Sequence, residues 1–279
     1  MFTKLTGLRA KMLLVLALGM VMMFALIFFV ARTLLLQGYA KLEVDKVSIQ
    51  TNSAINLINE QSHQIGLNVR DYAHWDYLYA YVARPNQAFI DSSFNDVMLV
   101  NLKLNAMFIV NNQGEIISYK GLDYTTGKPW RIPDVLMQAV KSGGLLVDPH
   151  QSSISGLFKT PAGICIVSTS DILTSLEKGP RRGTLVMVRL LDRALIDRIE
   201  KILGAKLFVE AYRDDEITTI SPQLFNKKII VKPISNNQVV GFALMNEISG
   251  DAKILIQTVG DRKIFEQGQI SLRFLYWGR

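Results

Sequence analysis

Apolar residues crowd the stretch from Met12 to Ala31, twenty positions without a charge, about the length a helix needs to cross a hydrocarbon layer of roughly 30 Å. Leu13, Leu16, Phe24, Ile27 and Phe29 put large apolar groups on every face rather than in one stripe, which suits a lipid-facing helix better than one half-buried in a core. A cleaved signal peptide is the alternative, but its apolar core would run to about 7–15 residues, and Arg32 follows this run without a small-x-small cleavage pattern. Residues 12–31 therefore read as a transmembrane helix. Lys4, Arg9 and Lys11 precede it, and no acidic residue occurs among the first 42. The positive-inside bias then places residues 1–11 in the cytoplasm and the rest outside.

The pattern changes beyond Arg32. Leu36 to Arg70 holds no proline and only Gly38 and Gly66, and Val44, Val47, Ala54, Ile58, Ile65 and Tyr72 recur at a 3.5-residue spacing. Residues 32–70 are expected to form a stalk helix continuing from the membrane, its stripe facing either a second copy of the chain or the chain's own domain. Thr51, Gln61 and Asn68 interrupt the seam, which weakens the coiled-coil reading. Ala88 to Leu99 is helix-compatible behind the Arg84-Pro85-Asn86 break. Strand periodicity starts at Ala106, with Asn111-Asn112-Gln113-Gly114 as a hairpin turn before Glu115 to Tyr119. A helix is expected over Ile132 to Ser142, and further strands at Gly156 to Phe158, Gly163 to Thr169 and Thr184 to Leu190. Asp192 and Gly204 bracket a helix, and four strands follow, over 206–211, 229–234, 239–245 and 252–259. The order predicts an α+β fold: a transmembrane helix and stalk, then antiparallel sheet modules with flanking helices. Residues 71–260 are expected to form the main exported domain, with a subdivision near 191 left open. Residues 261–279 turn helical again, with Phe274, Leu275, Tyr276 and Trp277 placed like an interfacial belt ahead of a second membrane helix.

Composition narrows the function classes. The formal charge of +7 includes Lys4, Arg9, Lys11 and Arg32, so the exported part carries 27 basic against 24 acidic residues, only +3, and nothing there points to nucleic acid. The single Cys165 excludes an internal disulfide, and His63, His74 and His150 stand at no recognisable metal-ligand spacing. No metal or cofactor is expected. His74 has no Ser, Cys or carboxylate partner at motif-grade spacing, and the serines at 153, 155, 168 and 170 lack a nucleophile elbow, so no catalytic constellation appears and the chain reads as a non-enzyme. Lys178, Arg181 and Arg182 read as a solvated hairpin tip. On a helix, Asp71, Trp75 and Tyr79 would share one face and Asp76 another, leaving two readings: core anchors with a capping carboxylate, or a ligand pocket.

The segment Asp71-Tyr72-Ala73-His74-Trp75-Asp76-Tyr77-Leu78-Tyr79 resembles the aspartate-aromatic-alanine-x-tryptophan-aspartate-x-x-tyrosine signature of the type-four CHASE domain, a bacterial extracellular sensory family. Leu104 to Ile116 and Ile172 to Arg189 resemble it in the same order, so the likeness covers roughly residues 40 to 200. The chain departs from the family's common pattern at Tyr77 and at Ser170-Asp171. The resemblance implies a Cache- or PAS-like periplasmic sheet between two membrane helices, feeding a cytoplasmic diguanylate cyclase, phosphodiesterase or histidine kinase module; cyclic-di-GMP signalling belongs to that expectation. No output module is read in these 279 residues.

The resulting expectation is a single-pass protein of the bacterial inner membrane with a periplasmic sensor domain, binding an unknown small molecule and pairing as a homodimer. Tyr72, Trp75, Asp76 and Tyr79 are expected to line the pocket, with Asn105 and Phe108 from the opening strand and Lys120 as anion partner. The rival expectation is a membrane-tethered module that binds another envelope protein.

Overall fold

The computed structural model describes residues 8–141, 143–148, 150–212, 222–225, 227–250 and 253–277, without the side chains of 8, 9, 222, 225 and 271–277. The cytoplasmic segment lies largely outside these residues, as do the side chains of the aromatic belt expected at Phe274 to Trp277.

The apolar run and the stalk form one unbroken helix, α1 (Leu8–Ala73), 66 residues long and so about 99 Å at 1.5 Å per residue. Its most apolar N-terminal window is left unburied by the described residues. Further along, Glu43, Val47, Thr51, Ala54, Ile58, Ile65, Val69 and Ala73 are buried at steps of three, four and seven. The stripe seen in the sequence therefore packs against the chain's own sheets. Any stalk pairing with a second copy would have to use the opposite face.

Three short helices cap the far end of α1: α2 (Asp76–Ala83), α3 (Gln87–Ser93) and α4 (Asp96–Leu102). The single helix expected over residues 88–99 is two, because Asn95 stops one and starts the next, its side chain accepting from the Met98 amide at 3.1 Å. Then come β1 (Ala106–Asn111), β2 (Ile116–Asp123), β3 (Lys128–Pro129), α5 (Asp134–Val140), β4 (Ser155–Thr160), β5 (Gly163–Asp171) and β6 (Gly183–Leu190). These strands form a six-stranded antiparallel sheet in the order β3-β2-β1-β6-β5-β4. Strand alternation divides its residues between two cores. Met107, Ile109, Ile164, Ile166, Leu185 and Met187 face α1 and the short helices. Ala106, Phe108, Val110, Cys165, Val167, Val186 and Val188 face α5 and the segment after it.

Helix α6 (Arg193–Leu203) begins at Asp192, whose carboxylate accepts from the Leu195 amide at 2.8 Å, and ends at Gly204 in the left-handed conformation, φ 61°. It leads into a second sheet of β7 (Lys206–Tyr212), β8 (Ile229–Pro233), β9 (Gln238–Asn246) and β10 (Lys253–Asp261), ordered β7-β10-β9-β8. The two sheets meet at β4: the Ile248 amide donates to the Leu157 carbonyl at 2.9 Å, and the buried Glu247 accepts from the Lys159 amide at 2.8 Å. Both sheets lean on the same helix, so α1 and its apolar neighbours form one continuous core.

The last helix, α7 (Lys263–Trp277), returns alongside the start of the stalk. Two contacts fix it there. The Arg262 guanidinium meets the buried Glu43 carboxylate at 2.9 Å, and Gly268 packs so closely on the Tyr39 ring that a side chain at 268 would collide with it.

The tightest joint between α1 and the second sheet is polar. Thr51 bonds the Val47 carbonyl at 2.8 Å and the Thr258 hydroxyl at 2.6 Å, both buried, and Gly241 on β9 presses against the Thr51 hydroxyl with no room for a Cβ. Gly241→Ala is expected to destabilise the fold by about 1–3 kcal/mol, read as a lower midpoint of chemical unfolding at unchanged slope. Cys165 is sealed between the sheet and α5, and burial pushes its thiol up to about 12. It should stay unreactive towards a thiol reagent until denaturant opens the sheet.

Candidate functional site

Helix α1 stops at Ala73 because the Ala73 carbonyl accepts from the Leu173 amide of the β5–β6 loop at 3.2 Å, and a bond to the loop replaces the next helical turn. Trp75 follows in an extended conformation, φ −94° and ψ 123°, as the residue before α2. This corrects the helical reading of the signature: Asp71, Trp75 and Tyr79 do not share one face, since two helices meet between them.

The break turns Trp75 into the centre of an aromatic cluster. Its ring lies 6.4 Å from Tyr72 and 5.2 Å from Tyr77, both edge-on, and 6.0 Å from Phe89, which stacks on Tyr81 at 4.6 Å. Such pairs bury large apolar surface and hold fixed ring geometries. Between α2 and α3 the rings of Trp75, Tyr77, Tyr81 and Phe89 line a groove of about 500 Å³ that opens to solvent, with Arg84, Asn86 and Ser92 contributing polar groups. A volume of that size falls within the usual range of ligand pockets, and an apolar lining with a few polar groups is their usual make-up. Asn86 is fixed as the N-cap of α3, accepting from the Phe89 amide at 3.0 Å. Beneath Trp75, towards Met107 and Leu185, only about 10 Å³ remains, room for one water at most. The groove is therefore closed off from the sheet.

The expected site residues separate into three groups. Tyr72 and Trp75 belong to the cluster. Asp76 and Tyr79 are held by the β5–β6 loop: Asp76 accepts from the Ser175 amide at 2.9 Å and its hydroxyl at 2.7 Å. The Tyr79 hydroxyl donates to the Pro180 carbonyl at 2.9 Å, and Arg182 covers the Tyr79 ring at 3.7 Å while donating to the Tyr79 carbonyl. The basic hairpin tip is thus partly a clamp on α2 rather than fully solvated.

Asn105, Phe108 and Lys120 are elsewhere. Asn105 is buried, its amide donating to the Leu122 carbonyl at 3.4 Å and its oxygen accepting from the Leu190 amide at 2.8 Å. Phe108 is fully buried on the α5 side of the sheet, the face away from Trp75. Lys120 pairs with Asp96 at 2.8 Å. Sequence reasoning missed Arg84, Phe89 and Tyr81. The signal available for them was the density of aromatics between 72 and 94, with one arginine at the break. Among the described residues no cluster of His, Cys, Asp or Glu is arranged to hold a metal ion.

The CHASE4 domain family model matches residues 57–210, from the middle of the stalk to β7. The chain belongs to the CHASE4 family. A curated relative, the methanogenesis regulatory histidine kinase FilI of Methanothrix harundinacea (strain 6Ac), is 23% identical over 260 residues. The match takes in 91% of this chain and 29% of the relative's length. Two solved structures share the fold at low identity. The extracellular domain of vpHK1S-Z8, a protein assigned as a histidine kinase, is 12% identical with a TM-score of 0.50, covering 84% of this chain and 98% of that one. A domain of a protein assigned to the sensory box/GGDEF family from Vibrio parahaemolyticus is 13% identical with a TM-score of 0.51, covering 83% and 99%. The signature that points to CHASE4 is thus the segment at which α1 breaks and the aromatic cluster forms.

In this CHASE4 chain the two Ser175 hydrogen bonds hold the Asp76 carboxyl below its ordinary range. A carboxyl depressed on folding contributes stability above its unfolded value, near 3.9, and that contribution is lost as pH falls through the folded value. Carboxyl NMR titration should show Asp76 ionising below about 3.9, and Ser175→Ala should move it back towards that value.

Proposed function

We propose that this chain is the extracytoplasmic ligand-sensing part of a membrane signal transducer, with its ligand in the aromatic groove between α2 and α3. The observation that carries this reading is the continuity of α1: one helix runs from the apolar segment to Ala73, two residues before the groove-lining Trp75. Helix α7 runs back beside it. A ligand that changes how α2 sits on the end of α1 then acts on the element that enters the bilayer, and a bound state need only differ in affinity between two helix arrangements to shift their balance.

Groove chemistry sets the ligand class. Trp75, Tyr77 and Phe89 offer flat apolar surface, and Arg84 is a guanidinium with no acidic partner among the described residues. A small molecule with an apolar or aromatic body and a carboxylate fits both, because the planar guanidinium fork matches a carboxylate. The curated relative's name, a regulatory histidine kinase, supports placing a kinase-type output downstream; the sheets lie outside and the N-terminus inside by the charge bias of Lys4, Arg9 and Lys11.

Thermal unfolding of the chain in lipid nanodiscs against aromatic and aliphatic carboxylates tests this, since a ligand bound only by the folded state stabilises it by RT ln(1 + [L]/Kd). At least one such compound should raise the midpoint in a concentration-dependent way, and Arg84→Gln should weaken it about tenfold or more. Absence of any shift across the carboxylates, or a shift indifferent to Arg84→Gln, would contradict the groove as the site.

A further inference from the structure

A second cavity, separate from the aromatic groove, lies between α1 and the β4–β5 edge of the first sheet. It measures about 230 Å³, room for about eight waters at ~30 Å³ each and below the size usual for drug-like ligands.

Its floor comes from a break in the apolar alternation. On β5 the side chains facing α1 are Ile164 and Ile166, then Ser168 and Ser170; on β4, Ser155 pairs directly with Ser168. Ser168 is fully buried and Ser170 nearly so. Ser168 and Ser170 thus stand buried where the strand's alternation would put apolar residues, and the exposed Ser153 and Ser155 extend the hydroxyl lining to the sheet edge.

The opposite wall is shaped to leave space. Gly66 stands in the interior of α1, where glycine costs roughly 0.5–1 kcal/mol relative to alanine. Nothing in the fold requires it: a Cβ there would meet only the Ser155 hydroxyl, at an ordinary 4.0 Å. His63 and Arg70 stand three residues before and four after, so they share its face and border the opening.

The hydroxyls themselves have capacity to spare. Ser62, Ser155 and Ser168 form a chain with oxygen separations of 3.0 and 2.7 Å. Three hydroxyls carry three protons, and the two links use two. One proton remains to be donated outside the chain, and the direction of the links can reverse to place it at either end. Arg70 already shows which anion it accepts: its guanidinium holds the Glu177 carboxylate, exposed on the β5–β6 loop, with His74 3.3 Å from the same oxygen.

We infer that this cavity is a binding site for a small hydroxylated carboxylate, whose carboxylate takes Glu177's place on Arg70 and whose hydroxyls bond the serine floor beneath Gly66. Occupation would release Glu177, and with it the loop whose Ser175 and Pro180 hold Asp76 and Tyr79 on α2. The second site therefore touches the same loop that braces the aromatic groove.

Isothermal titration of the full chain in nanodiscs with sodium glycerate tests the inference. Propionate, which lacks the hydroxyls, and glycerol, which lacks the charge, serve as comparisons. Glycerate should bind saturably and at least about tenfold more tightly than either. Gly66→Leu, which fills the gap, and Arg70→Gln should each weaken it by about tenfold or more, while Arg84→Gln in the aromatic groove leaves it unchanged. If Gly66→Leu lowers the unfolding temperature of the unliganded protein, Ser155→Ala, which removes a floor hydroxyl at an exposed strand position, should weaken glycerate binding in its place. No saturable glycerate binding overturns the inference. So does binding that survives both the position 66 and Arg70 changes, or that is lost in Arg84→Gln alone.

Discussion

Burial of one face of α1 is the constraint from which the rest of the structure follows. Through its most apolar N-terminal window the helix is unburied by the described residues, and its backbone is satisfied within the helix itself. Beyond Arg32 the same helix supplies a wall of the core to two separate sheets. Neither sheet covers its inner face alone; each closes it on Val47, Thr51, Ala54, Ile58, Ile65 or Val69. A helix used this way cannot slide or turn without disturbing both sheets, because packed interiors are close-packed and not continuously deformable. The Thr51–Thr258 and Glu43–Arg262 contacts add direction to that packing, since each is a buried polar pair that loses its partner if the helix shifts.

The β5–β6 loop is the second point of dependence. It ends α1 at Ala73 through Leu173, accepts Arg70 on Glu177, anchors Asp76 through Ser175 and Tyr79 through Pro180, and lays Arg182 on the Tyr79 ring. Both cavities on this face of the first sheet border residues that the loop holds. A ligand in either one, as proposed, would act on the joint between α1 and α2, and the coupling would need no longer route than that.

Much of this architecture is legible in the sequence because its signals are local. The twenty-residue apolar run, the Asp192 cap with Gly204, and the Asn-Gly hairpin turn each depend on neighbouring residues, and each stands where the pattern puts it. The three signature blocks were enough to recognise the family. Positions within the site were less legible. Asp71 to Tyr79 has helical spacing throughout, and only a hydrogen bond from Leu173, about a hundred residues along the chain, ends the helix inside it. Phe108 and Lys120 occupy one hairpin, yet strand alternation sends the first to the far core, and α4, the helix just before the hairpin, claims the second through Asp96. The stalk stripe has the period of a paired coil, and period alone does not say whether a second helix or a sheet will cover it.

The most direct test is hydrogen exchange along α1 in the nanodisc-embedded chain. If one rigid helix joins the apolar N-terminal segment to the α2 end, amides from 32 to 58 should exchange slowly and without interruption, in step with those of the first sheet. A fast-exchanging break between Arg32 and Glu43 would contradict the account, because the apolar N-terminal segment would then be uncoupled from the sheets.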